Sequence, residues 1–155
     1  MKSLSTTLAL STALVPALAA ATPVTFTTQM NSYGGDGAYL AYYVTDASGA
    51  YMGSLWMAGG KAKYYQHLSG WYAATGGNTA QVDGITGASV GAGRNLSITL
   101  DLQDALFDNG YVLHVDSSVE DMADQPNDVV IPLTSATLGQ PVSGKRYVQS
   151  VTISK

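Results

Sequence analysis

One segment of the sequence carries a side chain suited to covalent modification. Seven consecutive residues ending at Ser89 read Asp-Gly-Ile-Thr-Gly-Ala-Ser, and a hydroxyl on an exposed loop of this kind can accept a transferred group. Gly87 and Ala88 remove side-chain bulk beside Ser89, so the active site of another enzyme can surround it. Asp83 can seat the loop in that enzyme or bind a cation there, and Thr86 can cap a turn through its hydroxyl. The residue types around Ser89 are therefore compatible with an acceptor of covalent modification.

The same segment also fits a purely structural role as a polar turn. Gly-Ala-Ser triplets are common, and this one lies between a strand expected to end near Val82 and another expected to start near Asn95. Gly91 and Gly93 follow it and keep the connection open in either case. A purely structural turn therefore remains an alternative interpretation of residues 83–89.

The spacing within residues 83–89 resembles the pattern Asp-x-x-Ser/Thr-Gly-Ala-Ser/Thr that bacterial flavin transferases modify on exported proteins. Such a transferase takes FMN from FAD and joins its phosphate to the hydroxyl of the last residue, which here is Ser89. The resemblance implies FMN as a covalent cofactor and a flavin transferase as a partner. The remaining residues of the implied cofactor site are Asp83, Thr86, Gly87 and Ala88.

A wider stretch, from residue 38 to about residue 120, is similar to a family of uncharacterised periplasmic proteins. The similarity lies in the strands at 39–45 and 51–56, the turn at 46–49, the Gly-Gly-Lys sequence at 59–61 and the segment 83–89. Members of that family are often encoded beside PepSY-type membrane proteins and flavin transferases. The resemblance implies an immunoglobulin-like sandwich, a PepSY-type membrane redox partner and a role in redox or metal reduction outside the cytoplasm.

The N-terminus has the pattern of a secretory signal peptide. Lys2 precedes an apolar run that ends in small residues, with cleavage expected after Ala19 or Ala21. We therefore expect a signal peptide at 1–21 and a single mature domain at 22–155, which is exported unfolded to the periplasm. No later segment has the roughly 18 consecutive apolar residues of a membrane span, so the mature chain is not expected to cross a membrane.

Composition excludes several classes of function. The chain has 155 residues, a formal net charge of −4 and no cysteine. An acidic chain is poorly matched to a phosphate backbone, so no nucleic acid partner is expected. Without cysteine, disulfides, thiolate metal sites, iron–sulfur clusters and a cysteine nucleophile are excluded. The length suits one domain, and 46% hydrophobic residues are enough for a core.

Alternating apolar and polar residues run through most of the mature chain and predict short strands. Examples are residues 24–28, the hairpin of 38–45 and 50–57, and the stretch 95–102. Residues 61–67 fit a strand or a turn, and residues 68–80 are expected to form a loop. The pattern predicts an all-β fold, an antiparallel β-sandwich of immunoglobulin-like plan, with a small barrel as the alternative.

Aromatic residues between 61 and 72 form a second candidate surface. Tyr64, Tyr65, Trp71 and Tyr72 suit flavin stacking or partner docking, and they equally suit packing in the core or at sheet edges. Trp56, by contrast, is expected in the core of the sandwich.

A histidine-based metal site and catalysis by side chains are not expected. His67 and His114 are the two histidines and lack a short ligand spacing, and no nucleophile-elbow motif is present. The acidic run at 116–128 lacks the loop spacing of a calcium site, so its carboxylates are expected to be solvated. The chain is therefore interpreted as a carrier or binding module rather than an enzyme.

Three hypotheses about function remain, of which the third is a metal-handling periplasmic protein that uses the acidic run at 116–128. The first is an exported electron-transfer module that carries FMN on Ser89 and works with a membrane redox partner, the flavin supplying the chemistry. The alternative is a non-redox periplasmic module that binds a protein or ligand through a surface rich in tyrosine, of which the sequence has 10.

Overall fold

The architecture consists of two β-sheets packed face to face. The computed structural model describes residues 20–155, so almost all of the predicted signal peptide at 1–21 lies outside the described residues. Within them the strands are, in chain order, β1 (Ala21–Met30), β2 (Tyr39–Thr45), β3 (Tyr51–Ala58), β4 (Thr86–Gly87), β5 (Asn95–Gln103), β6 (Val112–Ser118), β7 (Gln125–Pro132), β8 (Val142–Ser143) and β9 (Val148–Ser154). The predicted all-β fold is confirmed.

The two sheets differ in size. One has 4 strands in the order β5-β1-β9-β8, and the other has 5 strands in the order β4-β3-β2-β6-β7. Neighbouring strands are antiparallel except β3 and β4, which run parallel. Two separate sheets confirm the sandwich over the barrel, while the immunoglobulin-like plan stays a prediction. Two short 3₁₀ helices, Asp104–Leu106 and Ser135–Thr137, follow β5 and β7.

Strands β1 and β5 supply one wall of the main core through strict alternation. The buried residues of the two strands are Val24, Phe26, Thr28 and Met30 in β1 and Ile98, Leu100 and Leu102 in β5. Because successive side chains of a strand point to opposite faces, the intervening residues face solvent. The strands predicted at 24–28 and 95–102 are confirmed, and both extend slightly beyond those limits.

Strand β2 is buried on both faces, which explains why it reads as a continuous apolar run. Leu40, Tyr42 and Val44 belong to the main core, whereas Ala41 and Tyr43 belong to a second apolar cluster on the outer face of the five-stranded sheet. A strand that is covered on both sides needs no polar face. The hairpin predicted from β2 and β3 is confirmed.

A helical segment between β3 and β4 covers that outer face. It consists of a 3₁₀ helix at Ala62–His67, the helix α1 at Ser69–Ala74 and a 3₁₀ helix at Thr79–Val82. Trp71 of α1 is fully buried, and its Nε1 donates a 2.9 Å hydrogen bond to Ser54 Oγ of β3. The loop predicted at 68–80 is wrong, and residues 61–67 form helical turns rather than a strand. Helices this short contain too few turns to show a helical period in the sequence.

The carboxylate of Asp128 on β7 joins the two sheets. Asp128 is fully buried, and Ser117 Oγ donates a 2.6 Å hydrogen bond to it. Its two oxygens also accept hydrogen bonds of 2.6 to 3.0 Å from four consecutive main-chain N–H groups, those of Lys145, Arg146, Tyr147 and Val148. Because these four residues lead into β9, one buried anion fastens the five-stranded sheet to the four-stranded sheet.

Asp116 on β6 is a second fully buried carboxylate. Its oxygens accept the main-chain N–H groups of Trp71 at 2.6 Å and Asn127 at 2.8 Å. Burial raises the pKa of Asp116 above its usual value, and the main-chain donors oppose that rise only in part. The prediction of a solvated acidic run is therefore wrong for Asp116 and Asp128, since main-chain donors take the place of water around both. The exposed members of the run are Glu120, Asp121 and Asp124.

Removing the Asp128 carboxylate tests how far the sandwich depends on it. We expect Asp128→Ala to lower the free energy of unfolding by about 3 kcal/mol or more, because four buried main-chain donors lose their acceptor together. Asp128→Asn keeps one acceptor oxygen and is expected to lie between Asp128→Ala and the wild type. Denaturant unfolding monitored by circular dichroism measures the loss.

The control is Asp124→Ala, which removes an exposed carboxylate 3.2 Å from His67. Such a surface pair contributes roughly 0–1 kcal/mol, so this variant should unfold close to the wild-type midpoint. Equal stability of the Asp124→Ala and Asp128→Ala variants would contradict the structural role assigned to Asp128.

Candidate functional site

The segment that ends at Ser89 is held to the sandwich on both sides of a short free span. Before the span, Gly59 N donates a 2.7 Å hydrogen bond to Gly87 O, which fixes β4 to the edge of the five-stranded sheet. After the span, Val90 and Ala38 form a bridge with main-chain hydrogen bonds of 2.7 and 2.9 Å. Between these anchors lie Ala88 and Ser89, and both are exposed. The exposed free span is therefore only residues 88–89, which is much shorter than the loop predicted for residues 83–89.

The side chain of Ser89 lies directly over Gly37. A Cβ atom added at Gly37 would come within 2.8 Å of Ser89 Oγ. The missing side chain at Gly37 leaves the serine hydroxyl room on that side. The Ser89 hydroxyl therefore occupies space that a side chain at residue 37 would fill.

Gly87 is required by the indole of Trp56. A Cβ atom at Gly87 would lie 2.7 Å from Trp56 Cζ2, which is closer than two carbon atoms can approach. Trp56 itself is half-buried and packs against the main core, and its Nε1 is buried without a hydrogen-bond partner in residues 20–155. Trp56, which was expected in the core, therefore packs against the core but is not fully buried, whereas Trp71 is fully buried.

A groove beside Ser89 lies where the edge strands of the two sheets meet. We call it the Trp56 groove; it is lined by Trp56, the residues from 87 to 91, Arg94, Asn95 and Leu96, and its volume is about 360 Å³. The edge strand β4 and the edge strand β5 both contribute to it. Arg94 is the one charged residue in this lining and is exposed. The groove therefore combines an aromatic wall with a single positive charge.

Asp83 and Thr86, the other predicted site residues, are exposed but do not line the groove. Asp83 follows the 3₁₀ helix at Thr79–Val82 and lies near Tyr65, whose pKa is raised first by burial and also by the Asp83 charge. Thr86 belongs to β4 rather than to a turn, so the predicted turn cap is wrong. The structure thus brings Gly87, Ala88 and Ser89 to the groove and leaves Asp83 and Thr86 exposed outside its lining.

A second cavity lies on the other side of Gly37. We call it the acidic pocket; its volume is about 430 Å³, its carboxylates are Asp36, Glu120, Asp121 and Asp124, and its apolar lining residues include Tyr39, Tyr64, Val119 and Met122. Of the predicted aromatic surface, Tyr64 lines this pocket, whereas Tyr65 and Trp71 are buried. Within the described part of the chain, no three histidine, aspartate or glutamate side chains are arranged so that they could hold one metal ion together.

Sequence reasoning missed Arg94, Tyr39 and Met122 as site residues. Arg94 lines the Trp56 groove, and Tyr39 and Met122 line the acidic pocket. Arg94 lies only five residues after Ser89, so a search for cations flanking the acceptor could have found it. Tyr39 and Met122 carried no local signal, because only the folded sheet brings β2 and the segment after β6 together.

Comparison with known proteins gives one match. The profile of a family described as predicted periplasmic protein (DUF2271) matches residues 21–150. This finding confirms the predicted periplasmic location and the resemblance to a periplasmic family, while the link to PepSY-type proteins and flavin transferases stays a prediction. No curated protein and no solved structure matches the chain significantly. Among residues 20–155, no helix has the length and apolarity to cross a membrane.

The close approach of Gly87 and Trp56 can be tested by adding one methyl group. We expect Gly87→Ala to displace the indole, to shift Trp56 emission and to lower the free energy of unfolding by about 1–3 kcal/mol. The matched control is Gly60→Ala, since a Cβ there meets nothing within 4 Å. Fluorescence spectra and denaturant unfolding measure both effects. Identical spectra and stability for the two variants would show that the contact does not constrain this segment.

Proposed function

The chain belongs to this family of periplasmic proteins, and we propose that it is a carrier of FMN joined covalently to Ser89. In this function the flavin phosphate is attached to Ser89 Oγ, and the flavin passes electrons to or from a PepSY-type membrane redox protein. The observation that carries the proposal is the exposed Ser89 hydroxyl, displayed on a two-residue span between two anchored main-chain positions. The match of residues 83–89 to the acceptor pattern of flavin transferases supports it.

The attachment step is a phosphoryl transfer that needs only FAD and the transferase. The Oγ atom of Ser89 forms a bond to the phosphorus of the FMN half of FAD, and the pyrophosphate bond breaks. AMP leaves, and the hydroxyl proton passes to a base of the transferase. Ser89 supplies an accessible nucleophile with one small neighbour, Ala88, so the transferase can enclose it.

The surroundings of Ser89 suit such a transfer. Asp83, at the end of the 3₁₀ helix at Thr79–Val82, and Thr86 of the edge strand β4 are both exposed, so a docked enzyme can contact them. Anchoring at Gly87 and Val90 limits the freedom of the hydroxyl, which lowers the ordering cost when the transferase binds. A free loop of the same sequence would lack this advantage.

The membrane partner follows from what a tethered flavin requires. A tethered flavin must receive its electrons from a donor and pass them to an acceptor. The family resemblance points to a PepSY-type membrane protein for one of these roles. Electron transfer is therefore a property of the assembled system, and this chain contributes the position and environment of the flavin.

The acceptor role of Ser89 predicts which variants carry flavin. With a flavin transferase co-expressed, the wild type and Ser89→Thr should bear one FMN, because both present a hydroxyl, whereas Ser89→Ala should bear none. In-gel flavin fluorescence and the mass of the peptide containing residue 89 measure the attachment. Ser32→Ala is the control, since Ser32 is an exposed serine near the same loop and its loss should leave FMN attached.

Two results would contradict the carrier function. One is an unmodified residue-89 peptide in a wild-type protein that was folded and exported beside an active transferase. The other is a flavin that remains attached in the Ser89→Ala variant, which would move the acceptor to another residue.

A second candidate function rests on the acidic pocket. Its aromatic interior and carboxylate rim suit a cationic ligand, because tyrosine faces and negative charges both attract cations. A chain that acts through this pocket is a periplasmic binding module with no need for flavin. The pocket includes Tyr39 and Tyr64, whose rings meet edge to face with centroids 5.7 Å apart.

The binding function predicts a different sensitivity to mutation. A lysine-rich peptide should bind the wild type and the Ser89→Ala variant equally, and Tyr64→Ala should weaken binding by about 5-fold or more, as for the loss of a desolvated cation–π contact. Isothermal titration at two salt concentrations measures this, with a glutamate-rich peptide as the control. Equal affinity for both peptides would exclude the pocket as a cation site.

A further inference from the structure

We propose that the Trp56 groove holds the isoalloxazine ring of the attached flavin and that Arg94 compensates the negative charge there. This inference rests on the proposed attachment at Ser89 and adds where the flavin lies once it is attached. Trp56 and Arg94 become positioning residues for the cofactor. Neither belongs to the segment that the transferase pattern defines.

Two cavities compete for a flavin on Ser89. Ser89 is part of the lining of the Trp56 groove, and its Oγ also lies over Gly37, which lines the acidic pocket. A tether at this atom can therefore lead into either cavity. The volumes of about 360 and 430 Å³ are similar and both lie in the range of small-molecule sites, so size does not decide between them.

The charges of the lining residues favour the Trp56 groove over the acidic pocket as the site of the flavin. A phosphodiester is an anion at every physiological pH, and a reduced flavin readily becomes one. Four carboxylates line the acidic pocket with one histidine, His67, which is paired with Asp124, and with no lysine or arginine, whereas the lining of the groove has Arg94 and no carboxylate. Among residues 20–155, Arg94 forms no ion pair, so its guanidinium is available to an incoming anion.

Trp56 offers the flat surface that a flavin ring needs. Its indole is packed against the main core and held at one edge by Gly87, so it is already fixed before the ring arrives. Offset stacking on an indole is weak for a free ligand. For a ligand tethered to the neighbouring residue 89 the effective concentration is high, so a weak contact is enough to keep the ring in place.

The indole N–H of Trp56 supports the same placement. Trp56 Nε1 is buried and has no acceptor within the described residues, which is costly for a polar group. It lies 3.6 Å from the point where a Cβ of Gly87 would stand, directly beneath the segment that precedes Ser89. The wall of the groove thus contains a donor without a partner, whereas the carbonyl oxygens and ring nitrogens of a flavin are acceptors.

Flavin fluorescence tests the placement because indole and phenol rings quench an excited flavin on contact. The indole or phenol donates one electron to the excited flavin, and the electron then returns to it, so the flavin emits no light. We expect Trp56→Phe to raise the emission per attached flavin several-fold, since phenylalanine packs similarly but does not quench. The matched control is Tyr64→Phe in the acidic pocket, which should leave the emission unchanged. Occupancy by mass spectrometry normalises each value.

The reduction potential tests the role of Arg94. Arg94→Gln should make the potential of the attached flavin more negative, because the reduced anion loses its counter-charge, and Arg94→Lys should restore much of the difference. Lys145→Gln, which removes an exposed cation outside both cavities, should not change it. Raising the salt concentration should reduce the effect of Arg94→Gln.

The outcomes separate this inference from the proposed function. Wild-type protein with no flavin on Ser89 would overturn both. Attached flavin that is equally bright in the wild type and in Trp56→Phe would overturn the groove placement and leave the carrier function intact. Brightening in Tyr64→Phe instead would place the ring in the acidic pocket and likewise overturn the inference.

Discussion

The two sheets of this sandwich are held together at one side by a single buried anion, the carboxylate of Asp128. An ionised group can be buried only where hydrogen bonds replace its hydration, and four successive main-chain N–H groups together with the Ser117 hydroxyl do so here. The donors belong to the approach to β9, so the bonds fix how the four-stranded sheet meets β7. Strands β4 and β5 are the edge strands on the far side of the sandwich from this bond network.

That far side is where the candidate site lies. Strands β4 and β5 are the outer strands of their sheets there, and the chain passes from one to the other through residues 88–94. The Trp56 groove is the gap that this crossing leaves between two sheet edges. The hydrogen bonds of Asp128 join the two sheets on one side of the sandwich. The Trp56 groove leaves the sheet edges accessible on the other side.

The sequence anticipated the parts of this arrangement that depend on neighbouring residues. Alternation predicted β1 and β5, the Asp-Ala-Ser-Gly turn predicted the β2–β3 hairpin, and small residues around Ser89 predicted its exposure. The parts that depend on distant residues were missed. Asp116 and Asp128 read as solvated because their main-chain donors, including Trp71 and Tyr147, are far away in the chain. The aromatic wall of the Trp56 groove was missed for the same reason, because Trp56 of β3 and the residues at the start of β5 come together only in the folded sandwich.

The pairing of β1 has a consequence for how the protein reaches its compartment. Strand β1 is the first strand of the domain, yet it lies inside its sheet between β5 and β9, with Thr25 opposite Ser154. The four-stranded sheet therefore cannot be completed until β9 is present. Such long-range pairing makes folding slow. In a chain that crosses a membrane with its N-terminus first, this sheet would stay incomplete until β9 emerges on the other side.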